Sequence, residues 1–386
     1  MRILHTADWH VGKTIRGHSR AEEHVAVLDE IAGVAREREV DLVIVAGDLF
    51  DSASPTAESE QVVYRALLAL RGAGATVVVI AGNHDNPNRL HAVAPLFGEL
   101  DVRVVAQPSR PDAGGVIDLR TLRGGEARLA MLPFVSQRSI VRADQLMARD
   151  GADNALAYAE RYRRLTDVLT EGLGSDRVNL VVAHAFVANG MLGGGERSAH
   201  TVFDYSVPAT VFPAAVQYVA LGHLHRAQRM DGATQIHYPG SPLQLDFGEV
   251  ADVKQVNLVE VEPGRPARVE AVPLQRGRRL RTVRGSLIEL RLQSGDVDSL
   301  DYVRVVVTEP ARAGLADEVR AMFPGAIDVV VERAEGRGAG HDRPRRQGLT
   351  PHELFAAFCA ERGHDDARVQ ALFAELLEDS GAAASG

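Results

Sequence analysis

The chain contains acidic, amide and imidazole side chains of the kinds that bind divalent metal ions, and they follow short apolar runs. These runs have the length and composition of buried β-strands. They cover residues 2–7, 42–46, 76–81, 179–183 and 218–221. The candidate ligands that follow them are Asp8, His10, Asp48, Asn83, His184, His223 and His225. A sheet that delivers such groups from several strand ends to one edge builds a polynuclear metal site, and we predict such a site here.

Asp48 is the natural bridge between two metal ions in this set. Two divalent ions held about 3.5–4 Å apart need a carboxylate between them and further ligands on each side. Asp48 follows Gly47, whose missing side chain lets the backbone bend sharply at a strand end. The mixture of imidazole and carboxylate groups favours manganese, iron or zinc over calcium or magnesium.

A pair of ions of this kind suits hydrolysis of a phosphate ester, because it activates water and neutralises charge on the phosphoryl group. His84 directly follows Asn83, and Asp85 follows His84. An imidazole oriented by a neighbouring carboxylate can protonate a leaving alkoxide or stabilise the transition state. We therefore predict a catalytic role for His84, with Asp85 orienting it.

Other polar residues near these motifs carry weaker signals. We interpret Asp51 as a residue that contacts a metal ligand rather than the metal ion itself. The glycines at 193–195 are typical of a flexible loop, since no Gly-Lys-Ser/Thr sequence follows them. Lys13, Arg16 and Arg89 lie close to the motifs and are candidates for phosphate contacts, although surface arginines are usually only solvated.

Length and composition are those of an ordinary globular protein. With 386 residues, 45% of them hydrophobic and 25% charged, the chain is long enough for two or three domains. No apolar run approaches the ~18 residues of a membrane span, and no signal-type region precedes the first strand, so we expect a cytoplasmic protein. Cys359 is the only cysteine, which excludes an internal disulfide and a thiolate zinc site. The net charge of −9 has the wrong sign for holding nucleic acid by the overall field, although a basic groove can coexist with it.

The distribution of strand-like and helical patterns predicts two α/β units. Apolar runs alternate with helical patterns at residues 21–38, 58–71 and 156–173, which indicates a layered α/β catalytic domain over residues 1–274. The basic, glycine-containing stretch 275–281 indicates a boundary. A small α/β cap is predicted for residues 275–332, with strands at 302–308 and 326–332 and a helix at 315–322.

The C-terminal part has a different character. Residues 333–348 are rich in Gly, Arg and Glu without apolar periodicity, which predicts a flexible linker. Residues 349–380 predict a pair of amphipathic helices, and the first begins with a capping box at Thr350. Such a pair has little core of its own, so it would fold back on the cap or dock on another protein.

Several of these segments resemble the calcineurin-like metallophosphoesterase superfamily and, within it, the SbcD nuclease subunits of bacterial SbcCD complexes. The segments are residues 5–13, 45–51, 81–85, 218–228 and 238–242, within a close match over residues 1–250. The resemblance implies an α/β/β/α sandwich with a small α/β capping domain and a C-terminal helix pair.

The resemblance also implies roles for individual residues. It assigns to one metal ion Asp8, His10, Asp48 and His225. It assigns to the other ion Asp48, Asn83, His184 and His223. Manganese is the usual ion of the family, and His84 matches its catalytic histidine.

The partners that the resemblance implies are an SbcC-type ATPase with a long coiled coil, to which the C-terminal helices attach, and a second nuclease subunit. It further implies ATP-gated access to DNA, 3′ to 5′ exonuclease action on duplex ends and endonuclease action at hairpins, in DNA repair, replication and recombination.

Two other functions compete with a DNA nuclease. A small-substrate phosphoesterase, such as a cyclic-nucleotide phosphodiesterase, would use the same metals, but it would need neither a cap nor a tethered helix pair. A metal-stabilised scaffold could bind DNA ends without cutting them. The presence of His84 beside a complete ligand set argues against that scaffold.

Overall fold

The computed structural model describes residues 1–136, 151–196 and 206–332, together with Phe355, Phe358, Cys359, Arg368, Val369, Leu372 and Phe373. The chain forms two compact units, Met1–Arg333 and Ala334–Gly386. Apart from those seven residues, the predicted linker 333–348 and helix pair 349–380 lie outside the described residues, and the predicted domain boundary at 274 remains a prediction. Among the described residues, no helix is both long enough and apolar enough to cross a membrane.

The helices and strands of the larger unit alternate along the chain, as the sequence predicted. The helices are α1 (Ala21–Glu37), α2 (Ala57–Gly72), α3 (Pro87–Gly98), α4 (Gly151–Leu169), α5 (Leu287–Gln293) and α6 (Leu315–Met322). The strands are β1 (Arg2–Thr6), β2 (Thr14–Ile15), β3 (His18–Ser19), β4 (Leu42–Ala46), β5 (Thr76–Ile80), β6 (Val102–Val105), β7 (Val116–Arg120), β8 (Glu126–Leu132), β9 (Val178–His184), β10 (Phe186–Val187), β11 (Ser206–Val207), β12 (Tyr218–Gly222), β13 (Gln228–Met230), β14 (Gln235–Tyr238), β15 (Gln255–Glu260), β16 (Arg268–Pro273), β17 (Leu280–Gly285), β18 (Tyr302–Val307) and β19 (Ala326–Val331).

Two six-stranded sheets form the body of this unit. The first has the order β16-β15-β1-β4-β5-β6, in which β1, β4, β5 and β6 are parallel. The second has the order β13-β14-β12-β9-β8-β7, in which β14, β12, β9 and β8 are parallel. The outer strands β16, β15, β13 and β7 run antiparallel to their neighbours. Parallel central strands bring the carboxyl ends of β1, β4 and β5 to one edge of the first sheet and those of β9 and β12 to one edge of the second.

The side chains of each central strand alternate between two cores, because successive residues of a strand point to opposite faces. Ile44 of β4 lies in the core between the sheets, together with Val182 of β9. Its neighbours Val43 and Val45 instead pack in a core with residues of α1 and α2. Tyr158 of α4 covers the outer face of the second sheet. This arrangement confirms the predicted α/β/β/α sandwich.

The small α/β cap has a core of its own. Strands β17, β18 and β19 form a parallel sheet, and apolar residues of β18 pack with residues of α5 and α6. The cap contacts the β2–β3 hairpin of the sandwich, where Ile15 packs with Tyr302 of β18. Asp328 of β19 accepts hydrogen bonds of 2.8 Å from Arg16 in the hairpin and from Arg304 in β18. The hairpin therefore joins the cap to the sandwich.

Candidate metal centre

The strand ends bring all seven predicted ligands together. Asp8 and His10 follow β1, Asp48 follows β4, and Asn83 follows β5. His184 is the last residue of β9, and His223 and His225 follow β12. Strands β4, β9 and β12 are buried along their whole length, as the apolar runs predicted. The site is therefore assembled where the carboxyl edges of the two sheets meet.

The distances between donor atoms fit two shared ions. His10 Nε2 and His225 Nε2 are 3.0 Å apart. Asn83 Oδ1 lies 2.9 Å from His184 Nε2 and 2.8 Å from His223 Nδ1. Two donors that bind one ion at about 2.1 Å are themselves separated by about 3.0–3.4 Å, depending on the coordination geometry. All three distances are thus close to what two donors of a shared ion require.

Asp48 lies between the two groups of donors. Its Oδ2 atom is 3.5 Å from the Nε2 atoms of both His10 and His184. Compact groups of potential metal donors form around it, one with His10 and His84 and one with Asp8 and His184. This position is the one predicted for the bridging carboxylate.

The ligand loops adopt a backbone conformation that side-chain-bearing residues usually avoid. Asp8, His10 and Asp48 have φ angles of 53°, 48° and 51°, and His223 has a φ angle of 111°. Such conformations cost on the order of 1–3 kcal/mol each and persist where surrounding contacts determine them. The Asp8 carboxylate provides one such contact, because it accepts the backbone N–H of His223 at 2.9 Å. The left-handed turns aim the side chains inward over the sheet edge.

Two glycines that precede ligands are required by close packing. Gly47 has a φ angle of 92°, and a Cβ atom there would overlap the His184 ring. A Cβ atom at Gly82 would overlap the Asp48 carboxylate. Glycine therefore precedes Asp48 and Asn83 because metal ligands occupy the space that a Cβ atom would need at these two positions.

Hydrogen bonds behind the imidazoles leave the inward nitrogens available to a metal ion. His184 Nδ1 lies 2.8 Å from the Ala46 carbonyl oxygen and donates its proton there, so Nε2, which faces Asp48 and Asn83, is the nitrogen that can bind a metal ion once its own proton is released. His225 Nδ1 lies 3.3 Å from Glu249 Oε1. With a proton on Nδ1, His225 likewise directs Nε2 toward the centre.

The charge balance of the site favours a cation. Burial opposes ionisation of Asp48, but the imidazoles of His184, His84 and His10 hold its pKa well below its usual range. Burial raises the pKa of Asp8 to about 7. Burial lowers the pKa of His184, but the Asp48 and Asp8 carboxylates outweigh it and raise that pKa to about 9. In the metal-free protein, protons occupy positions that metal ions would take.

His84 lies at the edge of this group, and its orientation differs from the prediction. Its Nδ1 atom is 2.9 Å from the backbone carbonyl oxygen of Asp51, and its ring is perpendicular to that of His10 with the centroids 4.5 Å apart. Its backbone N–H donates to Asp48 Oδ1 at 2.8 Å. The Asp51 carbonyl therefore orients the imidazole.

The predicted orienting role of Asp85 is wrong. The carboxylate of Asp85 accepts the backbone N–H groups of Gly82 at 2.8 Å and Phe50 at 3.0 Å, with Leu49 N–H at 3.3 Å. Asp85 is adjacent to His84 in the chain, but its side chain turns away toward these amides. It fixes the β4 and β5 loops to each other and supports His84 only through the backbone.

Glu249, Lys254 and Glu196 support the centre and were missed in the sequence. Glu249 is fully buried between His225 and Lys254, whose Nζ lies 2.7 Å from Glu249 Oε2. Burial opposes ionisation of Glu249, but His225 and Lys254 lower its pKa to about 2. Glu196 Oε1 accepts the backbone N–H of His225 at 3.0 Å. Lys254 is one of only two lysines in the sequence, which could have drawn attention to it. The residues that flank Glu196 and Glu249 in the sequence form no motif that indicates a role at a metal site.

The three basic residues suggested for phosphate contacts differ in position. Lys13 lies beside the centre, 3.3 Å from Asp51. Arg16 is paired with Asp328 in the cap at 2.8 Å. Arg89 is paired with Glu60 at 2.7 Å on the surface of α2 and α3. Of these three residues, only Lys13 lies next to a residue of the candidate metal centre.

Comparison with known families agrees with this geometry. The family model described as calcineurin-like phosphoesterase matches residues 1–227, which include all seven ligands and His84. The chain therefore belongs to the calcineurin-like metallophosphoesterase superfamily and is a metal-dependent phosphoesterase.

Three curated relatives, each named as the SbcD component of the nuclease SbcCD, identify the branch of that superfamily. The relative from Bacillus subtilis is 38% identical over 285 residues, which cover 72% of this chain and 71% of the relative. The relative from Rhodobacter capsulatus is 35% identical, over 72% of this chain and 70% of the relative. The relative from Escherichia coli K12 is 32% identical, over 80% and 76%. Within the superfamily, the chain belongs to the SbcD nuclease family.

Proposed function

We propose that this chain is the nuclease subunit of a DNA-processing complex and hydrolyses phosphodiester bonds at a centre of two divalent ions, with manganese as the physiological metal. The observation that carries the proposal is the convergence of donors from five strand ends around Asp48. The names of the relatives, which are nucleases, support DNA as the substrate.

In this proposal Asp48 would be common to two ions. Asp8, His10, Asp48 and His225 would hold one ion. Asp48, Asn83, His184 and His223 would hold the other. The short distances from His10 to His225 and from Asn83 to His184 and His223 support this division.

Bound ions of this kind activate water and neutralise the charge that develops on a phosphoryl group. His84 serves as the acid that protonates the leaving alkoxide. The Asp51 carbonyl accepts the Nδ1 proton of His84, so that Nε2 is the nitrogen that exchanges a proton with the substrate. Asp85 acts indirectly, by holding the loop from which His84 projects.

The finer assignments rest on the family relationship. We propose 3′ to 5′ exonuclease action on double-stranded ends and endonuclease action on hairpin DNA, in cytoplasmic DNA repair, replication and recombination. The partners are an SbcC-type coiled-coil ATPase and a second copy of this chain, in a heterotetramer. The predicted C-terminal helix pair would dock on the ATPase.

The decisive experiment compares wild type with His84→Gln on blunt duplex and hairpin DNA, with Mn²⁺ and with or without the ATPase. We expect cleavage by the variant to fall by about two to four orders of magnitude, because general acid catalysis contributes that much. Metal content should be unchanged, since His84 is not assigned as a ligand. His91→Gln is the matched control, because His91 is an exposed histidine on α3.

Three results would contradict the proposal in different ways. Full cleavage by His84→Gln would remove His84 from the mechanism. Absence of cleavage by wild type, even with the ATPase and ATP, together with normal metal content, would favour a non-cleaving scaffold. Hydrolysis of small phosphodiesters without any DNA cleavage would favour a small-substrate phosphoesterase.

A further inference from the structure

The loop that follows β10 presents two adjacent apolar side chains to solvent beside the candidate metal centre. Met191 is 53% exposed and Leu192 is 46% exposed. Single exposed apolar side chains are common on protein surfaces. This pair is different because its backbone is held tightly by the segment that carries His223 and His225.

A side-chain amide clamps the backbone of Met191. Gln228 Oε1 accepts the Met191 N–H at 2.8 Å, and Gln228 Nε2 donates to the Met191 carbonyl oxygen at 2.8 Å. The same Nε2 atom donates to the Arg226 carbonyl oxygen at 3.1 Å. The position of Met191 is thus fixed relative to the ligand His225, three residues before Gln228.

A second clamp holds the next part of the loop. Glu196 accepts the backbone N–H of Gly193 at 2.7 Å and that of Gly194 at 2.8 Å, and it also accepts the N–H of His225. Gly193 packs so closely on His225 that a Cβ atom there would lie 3.1 Å from the His225 Cβ. Leu192 therefore lies between two points that are both anchored to the metal-ligand segment.

The apolar surface continues from this loop to the ligands themselves. The half-buried ring of Phe186 lies with its centroid 6.3 Å from that of His223. A Cβ atom at Gly190 would lie 3.6 Å from Phe186 Cε2, so the chain leading to Met191 packs against this ring. Phe186 thus lies between the metal centre and the backbone that leads to Met191 and Leu192, and these three residues are here called the apolar rim.

We propose that Met191 and Leu192 form a wedge that separates the terminal base pair of duplex DNA, so that the nucleotide to be removed lies unpaired beside the metal centre. This inference rests on the proposed nuclease function. Proteins that unstack or kink DNA insert Leu, Met or Phe side chains between bases. Phosphate contacts require polar or basic groups, which this rim does not offer, so its chemistry fits nucleobases.

The size of the surface also favours a nucleobase over a protein partner. Stable protein interfaces bury about 800 Å² on each partner, far more than two side chains can supply. A single base face, in contrast, matches two adjacent apolar side chains. The hydrogen-bonded backbone of residues 191–194 is suited to this task, because a loop that moved when it met a base pair would not separate the two bases.

The test uses the full-length double variant Met191→Ser/Leu192→Ser with Mn²⁺, and with the ATPase present when DNA is cut. Three substrates are compared: bis-p-nitrophenyl phosphate, a fully paired blunt duplex, and the same duplex with mismatched terminal pairs. Leu122→Ser is the matched control, because Leu122 is 53% exposed in the β7–β8 turn, away from the ligand-bearing strand ends.

We expect kcat/KM of the double variant to fall about tenfold or more on the paired end, which corresponds to the loss of base stacking contacts. On the mismatched end the loss should be about threefold at most, since those bases are already easy to separate. Hydrolysis of bis-p-nitrophenyl phosphate should be unchanged, because this substrate has no base pair to open.

Each other outcome overturns the wedge. Equal loss on paired and mismatched ends would mean that the side chains contact DNA without separating it. Unchanged cleavage of both ends would mean that they do not act on DNA. If wild type hydrolyses bis-p-nitrophenyl phosphate but cuts neither duplex, the nuclease function itself fails, and the wedge fails with it.

Discussion

At the scale of single residues, the protonation of His184 links metal binding to pH. The Asp48 and Asp8 carboxylates raise the pKa of His184 to about 9 against the opposing effect of burial, so this imidazole is protonated at neutral pH without metal. Asp8, whose pKa burial raises to about 7, holds a proton in part of the molecules. A metal ion needs the bare nitrogen and the ionised carboxylate, so binding must release protons.

We therefore expect the affinity for Mn²⁺ to rise with pH up to about 9, because Asp8 loses its proton around pH 7 and His184 around pH 9. Isothermal titration calorimetry in two buffers of different ionisation enthalpy measures both the affinity and the number of protons released. An affinity that is independent of pH, with the same heat in both buffers, would contradict this prediction.

Glu249 provides a second prediction at this scale. It is buried between His225 and Lys254, so Glu249→Gln removes the carboxylate that holds the His225 ring and leaves the Lys254 charge with only the more distant Asp252, 4.0 Å away. Loss of a group that supports a metal ligand typically weakens metal affinity by about 10–100-fold. We expect a loss of that size in Mn²⁺ titrations, together with a lower Tm.

The control for Glu249→Gln is Glu262→Gln, since Glu262 is an exposed residue paired with Arg265. A double variant, Glu249→Gln/Lys254→Met, should recover part of the Tm because no buried charge is left unpaired. It should not recover the metal affinity. Normal affinity in the single variant would show that His225 needs no carboxylate behind it.

At the scale of secondary-structure elements, the apolar runs predicted the strands that carry ligands, whereas their arrangement in two sheets followed only from the family resemblance. Strands β4 and β12 are continuous apolar runs, because both of their faces are covered, and such runs are visible without a structure. The division of the strands into two sheets is not visible in the apolar pattern, because it depends on contacts between distant parts of the chain. The pairing of β1 with β15 is an example.

The turns after the strands limited what could be predicted about the site. Ligand identity followed from residue type and position, but side-chain direction depends on left-handed turns such as those at Asp8 and Asp48. Asp85 was misassigned for this reason, since its neighbour in the chain is not its neighbour in space. Glu249 was missed because its partner His225 lies 24 residues away in the chain.

At the scale of the whole molecule, the role proposed for the C-terminal residues depends on a partner. The sequence of residues 349–380 has the apolar periodicity of a helix pair with little core of its own. We expect that deleting residues 349–386 abolishes co-purification with the ATPase while Mn²⁺-dependent hydrolysis of bis-p-nitrophenyl phosphate continues. Deletion of residues 381–386 alone serves as the control. Retention of the ATPase by the longer deletion would mean that the helices pack on the cap.

The spread of the metal ligands along the chain has a consequence for synthesis. The donors range from Asp8 to His225 and belong to both sheets, so the centre is complete only after the second sheet has docked on the first. Contacts between such distant segments form late, because closing long loops costs conformational entropy. A growing chain on the ribosome therefore carries an incomplete set of donors until His225 has emerged. The newly made protein cannot cut nucleic acid before its sandwich has closed.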